Sequence, residues 1–366
     1  MSITQKIDTG LDGIVAAETR LSLVDGEAGR LIIAGYEVPD LVASFTFEET
    51  VARLWETAGS ADAARDAADL GRARGEAFEL VPQLLEIAAD LSIIEGLRAG
   101  VALLPDEADL RAAVRLVGAM PVWVAALCRQ RAGEAPLAPD AQAGHAADYF
   151  RMLRGRPADA AEAAAMQTYL TMISDHGMNA STFAARVVAS TRAGMVSSVT
   201  AAICALKGPL HGGAPGPVLD MLDALAGKPI EPWIDAELAR GERLMGFGHR
   251  IYRVRDPRAD VLNGTLETLS HDNQRIGFAR AVEKVALEKL RAAKPDRPMG
   301  TNVEFYTALL LEALGIPRDA FTPTFAVGRV AGWTAHVIEQ EMTGRLIRPQ
   351  SRYIGEMPSR CSAPAA

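Results

Sequence analysis

Cysteine is scarce in this 366-residue chain: Cys128, Cys204 and Cys361 lie far apart in sequence. That spacing offers neither a disulfide framework nor a metal-binding pattern, and it fits a reducing, cytoplasmic setting. Positive charge is not in excess either. The formal net charge is −8, which argues against a general nucleic-acid binder and leaves only room for a local basic site. No run approaches the ~20 apolar residues of a membrane span. The opening residues, MSITQKIDTG, lack the basic patch and apolar stretch of a signal peptide. A dinucleotide fingerprint is missing too, since GFGH at 246–249 is not G-x-G-x-x-G and no βαβ pattern surrounds it. Aromatic residues are few, at 5%. Internal repeats are absent.

What is present is helical pattern. The apolar share is 49%, and abundant alanine favours helices that pack closely. The length suits two domains. At the front, ETRLSLVDGEAGRLIIAGYEV places Asp25-Gly26 between two apolar stretches, a β-hairpin signal. In TFEETVARLWETAG, Thr46 and Glu49 form a capping box, and Phe47, Val51, Leu54 and Trp55 share one helical face. Residues 60–130 read as alanine-rich helices broken at Gly71, Gly75, Pro82 and Pro105. A loop follows at 133–144, then a helix ending near His176, then two helices of small residues up to Lys207. The stretch KGPLHGGAPGP, 207–217, reads as neither helix nor strand. Four more helices and a last long one, FAVGRVAGWTAHVIEQEMTG, complete an all-α chain with a small N-terminal β hairpin.

Histidine occurs at 145, 176, 211, 249, 271 and 336, and three of these stand in SDHGMN, GPLHGGA and GFGHRIYR. A lone histidine is usually structural. Three at helix ends or beside glycines shift the balance towards a site, because glycine lets a ligand approach the ring. A tri-histidine zinc site is open on residue type, though no metal-like spacing supports it. HRIYRVRDPR carries Arg250, Arg253, Arg255 and Arg258. They form either a solvated basic face paired with Asp256, or an anion site for phosphate or carboxylate. Arg329 stands among apolar and small residues and needs an anion, internal or bound. Glu304 lies in the first turn of a helix, where the dipole alone would favour a carboxylate.

In order along the chain, GLDGIVAAETRLSLVDGEAGRLIIAGYEVPDL, DHGMNASTF, GPLHGGAP, GFGHRIYRVRDPRA, TNVEFY, FAVGRVAGWTAHVIEQ and RLIRPQSRYIG resemble the signatures of the citrate synthase family. The resemblance spans about residues 10–356. It implies a two-domain helical homodimer, with a large domain from 1–212 and 316–366 and a small domain at 213–315 that closes over substrate. The implied reaction joins acetyl-CoA, oxaloacetate and water to give citrate and CoA, with no metal or redox cofactor. Carried over by position, His211 stabilises the thioester enol, His249 polarises and protonates the ketone, and Glu304 is the base. His176, Arg258 and Arg329 hold oxaloacetate, and Arg348 reaches into the partner subunit's site. Arg253 meets a CoA phosphate, and the backbone of Met245, Gly246, Phe247 and Gly248 lines the adenine pocket.

The chain departs from the family pattern in places. Glu304 replaces the usual aspartate, Ile173 replaces a frequent histidine, and the lysine often found before the TNVE position is missing, with Arg297 as its candidate stand-in. Two other functions are therefore carried alongside: 2-methylcitrate synthase using propionyl-CoA, and a non-catalytic CoA- or citrate-binding homologue.

Overall fold

The structure is a computed structural model that describes residues 10–11, 13–106, 110–212, 215–248, 251–252, 254–269, 273–295 and 299–356. His249, Arg253, Arg297 and Cys361 lie outside the described residues.

The chain opens with β1 (Ser22–Asp25) and β2 (Arg30–Ile33), antiparallel with Asp25 opposite Arg30. The turn forms because the Asp25 carboxylate accepts from the Ala28 and Glu27 amides, at 2.9 and 3.2 Å. A third strand, β3 (Tyr36–Glu37), pairs with β2 through Ala34-Gly35, both at positive φ. That two-residue turn escaped the sequence reading because alanine rarely adopts the left-handed region.

Helices follow: α1 (Val38–Ser44), α2 (Phe47–Ala58), α3 (Ala63–Ala68), α4 (Leu70–Glu79), α5 (Val81–Ile87), α6 (Ile93–Val101), α7 (Leu110–Arg131), α8 (His145–Arg154), α9 (Ala160–Met172), α10 (Ala180–Ala189) and α11 (Met195–Leu206). Next come α12 (Pro215–Leu225), α13 (Ile230–Ala239), α14 (Pro257–Thr268), α15 (Asn273–Ala293), α16 (Val303–Ala313) and α17 (Phe321–Thr343). The expected capping box starts α2, and its apolar face is fully buried.

Two expectations need correction. Gly71 and Gly75 do not break a helix; both lie inside α4. Gly71 instead admits the Ala141 carbonyl, which a Cβ would meet at 2.1 Å. The stretch 207–217 is not wholly irregular, because α12 begins at Pro215. Proline fits the first turn of a helix, where its missing N–H has no partner to lose.

The long α17 is the central strut, packed against α2, α7, α9, α10 and α11. Against the expectation that no run approaches a membrane span, helix α7 is long and apolar enough to cross a bilayer, but 89% of its apolar window is buried inside the protein. Helices α12 to α16 group together: α13 on α15, and α12 and α14 on α16, with α14 also touching α1 and α9. The seam between that group and the α9–α17 layer is where His176, His211, Arg258, Arg329 and Glu304 meet.

Candidate active site

Helix α9 stops at Met172, capped at Ile173, so His176 sits in an irregular segment beyond it rather than on the last turn. The segment is held by Asp175, whose carboxylate accepts from the Ser22 hydroxyl at 2.6 Å and the Gly177 amide at 3.2 Å. Burial alone would raise the Asp175 pKa, but His336, Arg329 and Ser22 pull it down to about 2. His176 is buried, with Nε2 3.2 Å from the Tyr252 hydroxyl and the rings edge-on.

His211 follows α11 in a tight turn closed by Gly212 N donating to Leu206 O at 3.0 Å. A Cβ on Gly212 would stand 2.5 Å from that carbonyl, so only glycine lets the chain fold back and turn the ring inward. The ring Nε2 lies 2.9 Å from Ser181 Oγ and accepts from the Ser181 amide at 3.3 Å. Burial first, then the nearby Arg329 charge, lowers its pKa to about 4, so the imidazole is neutral at pH 7.

Glu304 opens α16, and its amide is capped by Asn302 Oδ1 at 3.0 Å. Its carboxyl oxygen Oε2 is buried with no hydrogen-bond partner among the described residues. Burial raises the pKa to about 7; Asp256 adds to the rise, and Arg258 and Arg329 oppose it. Arg258 is almost fully buried and forks onto Asp256 at 3.0 and 2.8 Å. The internal pairing weighed for the basic stretch is thus real for Arg258, and the same guanidinium acts on Glu304. Arg329 is different. Its Nε donates to the Ile173 carbonyl at 2.6 Å, while Nη2 is buried without a partner among the described residues. Burial, with the Arg258 charge adding to it, lowers the Arg329 pKa to about 10, although Asp175 and Glu304 act the other way.

Residues 246–248 run against 300–302. Phe247 bridges Thr301, Gly248 N donates to Gly300 O at 2.8 Å, and Asn302 N donates to Gly246 O at 3.0 Å. Gly246 adopts φ +86°, and a Cβ there would meet the Phe305 side chain at 2.8 Å. The structure thus brings together His176, His211, Arg258, Arg329 and Glu304. Arg348 is not among them: it is exposed in the irregular segment after α17. Among the described residues, no group of three His, Cys, Asp or Glu side chains is placed to hold a metal.

Several site groups carried no sequence signal. Tyr169 is fully buried on α9, and the Glu304, Arg329 and Arg258 charges all act on its hydroxyl. Ser181 and Tyr252 hold the two histidines. Only Asn302, a capping residue ahead of an apolar run, was open to recognition as such.

Residues 10–350 match the family described as citrate synthase, C-terminal domain. The chain is 37% identical to citrate synthase of Haloferax volcanii over 376 residues, covering 96% of each. It is 35% identical to 2-methylcitrate synthase of Mycobacterium tuberculosis, covering 95% of this chain and 91% of that one. Among solved structures, citrate synthase of Thermotoga maritima superposes with a TM-score of 0.85 at 32% identity, covering 97% of both chains. The ternary complex of carboxymethyl coenzyme A and oxaloacetate with citrate synthase of Thermoplasma acidophilum gives 0.86 at 28% identity, covering 98% of both. With the fold, the ordered motifs and these likenesses in agreement over nearly its whole length, this chain belongs to the citrate synthase family of condensing acyltransferases.

Proposed function

We propose that this protein condenses acetyl-CoA with oxaloacetate and water to give citrate and CoA. The observation that carries the reading is Glu304: a carboxyl whose buried oxygen has no partner among the described residues, pushed up to about 7, beside the guanidinium of Arg258 and the half-satisfied one of Arg329. A base working near neutral pH needs such a value. A buried guanidinium with an unpartnered arm calls for an anion, and a dicarboxylic keto acid supplies one.

In this reading Ser181 engages His211 Nε2, leaving Nδ1–H to bond the thioester oxygen. Glu304 takes a proton from the acyl methyl, and neutral His211 stabilises the enolate oxygen. The enol carbon attacks the oxaloacetate ketone, held by His176, Arg258 and Arg329. His249 protonates the new alkoxide. Water then cleaves the thioester and releases CoA. Arg253 and the backbone of Met245, Gly246, Phe247 and Gly248 are the proposed CoA contacts. The steps need no metal or redox cofactor.

The closing unit is assigned to residues 213–315, supported by the packing of α12 and α14 on α16 and of α13 on α15, with Arg275 and Arg280 of α15 bonded to Glu312 and Asn263. The working form is assigned as a homodimer in which Arg348 completes the partner subunit's site. Support comes from the irregular segment after α17, which exposes Leu346, Tyr353 and Ile354. A cytoplasmic enzyme of central carbon metabolism, the tricarboxylic acid cycle, fits this assignment and the unpaired Cys128 and Cys204.

The similarity to a 2-methylcitrate synthase keeps propionyl-CoA as the second substrate. One methylene in an apolar pocket is worth only ~1–3 kcal/mol. Steady-state release of free CoA with oxaloacetate, run with each thioester, decides: the expected result is a higher kcat/KM for acetyl-CoA. A preference for propionyl-CoA makes the protein a 2-methylcitrate synthase with the same mechanism. No CoA release from either thioester leaves the non-catalytic homologue.

A further inference from the structure

We infer that Glu283 is a positioning residue for catalysis, a buried carboxylate on α15 that fixes the helix of the base to the loop preceding α14. The inference rests on the condensing-enzyme reading above and assigns a role to a residue that touches no substrate.

Glu283 is 8% exposed. Its Oε1 accepts from Arg255 Nη1 at 2.5 Å and from the Thr301 hydroxyl at 2.5 Å. Its Oε2 accepts from the Tyr306 hydroxyl at 2.5 Å. Arg255 also pairs with Asp260 at 2.5 Å and lies 5.5 Å from the centre of the Tyr306 ring. One carboxylate therefore gathers a donor from the loop before α14 and two donors that bracket Glu304 on either side along the chain.

The two backbones it joins are already pressed together. Asp256 N donates to Thr301 O at 3.2 Å, and Asn302 Nδ2 donates to Gly248 O at 2.8 Å. At Gly300 a Cβ would stand 2.8 Å from the Arg255 backbone. These contacts set the reach between Glu304 and the Asp256–Arg258 pair, the charges that tune it. Backbone hydrogen bonds alone hold such a seam loosely, because each replaces a bond to water and is worth little net. A carboxylate accepting three donors, one of them charged, holds it firmly. Chemistry is sensitive to this, since a displacement of ~1 Å at a reacting group costs on the order of 100-fold in rate.

The replacement Glu283→Gln keeps the shape but turns one acceptor into a donor facing donors. Oxaloacetate binding is measured by calorimetry, and kcat by CoA release is divided by the number of oxaloacetate-binding sites so found. The expected result is an oxaloacetate Kd within ~3-fold of wild type and a kcat per binding site at least ~10-fold lower, a loss a misplaced base explains. Tyr306→Phe removes one donor, buries no unpaired charge, and should lower kcat per site by ~3-fold or more. A purely structural role would lower thermal stability and the number of binding sites, not the turnover of each. Unchanged kcat per site in both variants overturns the inference. Should Glu283→Gln fail to fold, Tyr306→Phe and Thr301→Val decide it by the same criterion. A wild-type protein that binds oxaloacetate yet releases no CoA overturns the condensing reading and this inference with it. Active wild type with equally active variants overturns only the role of Glu283.

Discussion

At the scale of the single residue, the fold holds Glu304 in tension between chemistry and stability. Its pKa is about 7 against an ordinary 4.5. A carboxyl raised in the folded state favours folding while protonated, and this contribution is lost as pH climbs from below 4.5 through 7. Glu304→Gln removes the ionisation. Its Tm relative to wild type should therefore rise between pH 5 and 8, read by thermal melts across that window, on the order of a unit or more of pKa being at stake. The same variant should lose at least ~100-fold in kcat. Wild-type kcat/KM for the thioester should rise with pH through an acid limb near 7. A flat profile over that range, with chemistry shown to be rate-limiting, would assign the proton to another group. Arg329 makes the complementary case. Its buried Nη2 lacks a partner among the described residues, so a dicarboxylate ligand should raise the Tm by mass action. Arg329→Gln should abolish the oxaloacetate-dependent shift in differential scanning fluorimetry, while a persistent shift would place the carboxylates elsewhere.

At the scale of the element, the front hairpin reaches across the site. Its base is tied to the His176 segment by Ser22 and Asp175. Its turn rests on the segment before α14: a Cβ on Gly26 would stand 2.3 Å from the Ile251 carbonyl, and one on Gly29 would stand 2.6 Å from Val254 Cγ2. Gly26→Ala must push that segment away, whereas Gly75→Ala, inside α4 with nothing within 4 Å, adds only helix propensity. The expected outcome is a lower kcat/KM by ~10-fold or more for Gly26→Ala, and a gain of up to ~1 kcal/mol in unfolding free energy for Gly75→Ala with activity unchanged. Denaturant titration and steady-state kinetics on the two variants check both. Wild-type kinetics in Gly26→Ala would show that the hairpin turn can shift without disturbing the site.

At the scale of the whole molecule, the open question is whether one chain makes a complete site. Arg348 is exposed on an irregular segment, while the other proposed carboxylate contacts are buried. Chains carrying Arg348→Ala and chains carrying His211→Ala should each form nearly inactive homodimers. A mixed dimer keeps one cleft with both residues intact, so refolded mixtures should recover roughly one working site, an all-or-none complementation rather than a small shift. Inactive mixtures, confirmed as heterodimers by mass, would mean that Arg348 acts within its own subunit or not at all.

Much of this was legible in the sequence. The capping box of α2, its buried face, the Asp25 turn, the glycine-rich turn at His211 and the carboxylate opening α16 all follow from local rules: side-chain periodicity, capping chemistry and the steric needs of glycine and proline. Local rules also misled, at Gly71 and Gly75, where weak helix formers sit inside α4 because tertiary contacts outweigh propensity. Residue order likewise pointed to the anion-binding arginines, but not to the distant Glu283 that Arg255 pairs with. The Asp256 partner of Arg258 is local and was open to recognition in the sequence, but only the tertiary structure left Arg329 half-satisfied among the described residues and brought Tyr169 and Glu283 to the site from helices with no motif to mark them. The physical reason is that pKa values and unpaired polar atoms are properties of surroundings. Burial and neighbouring charge set them, and both come from segments distant in sequence.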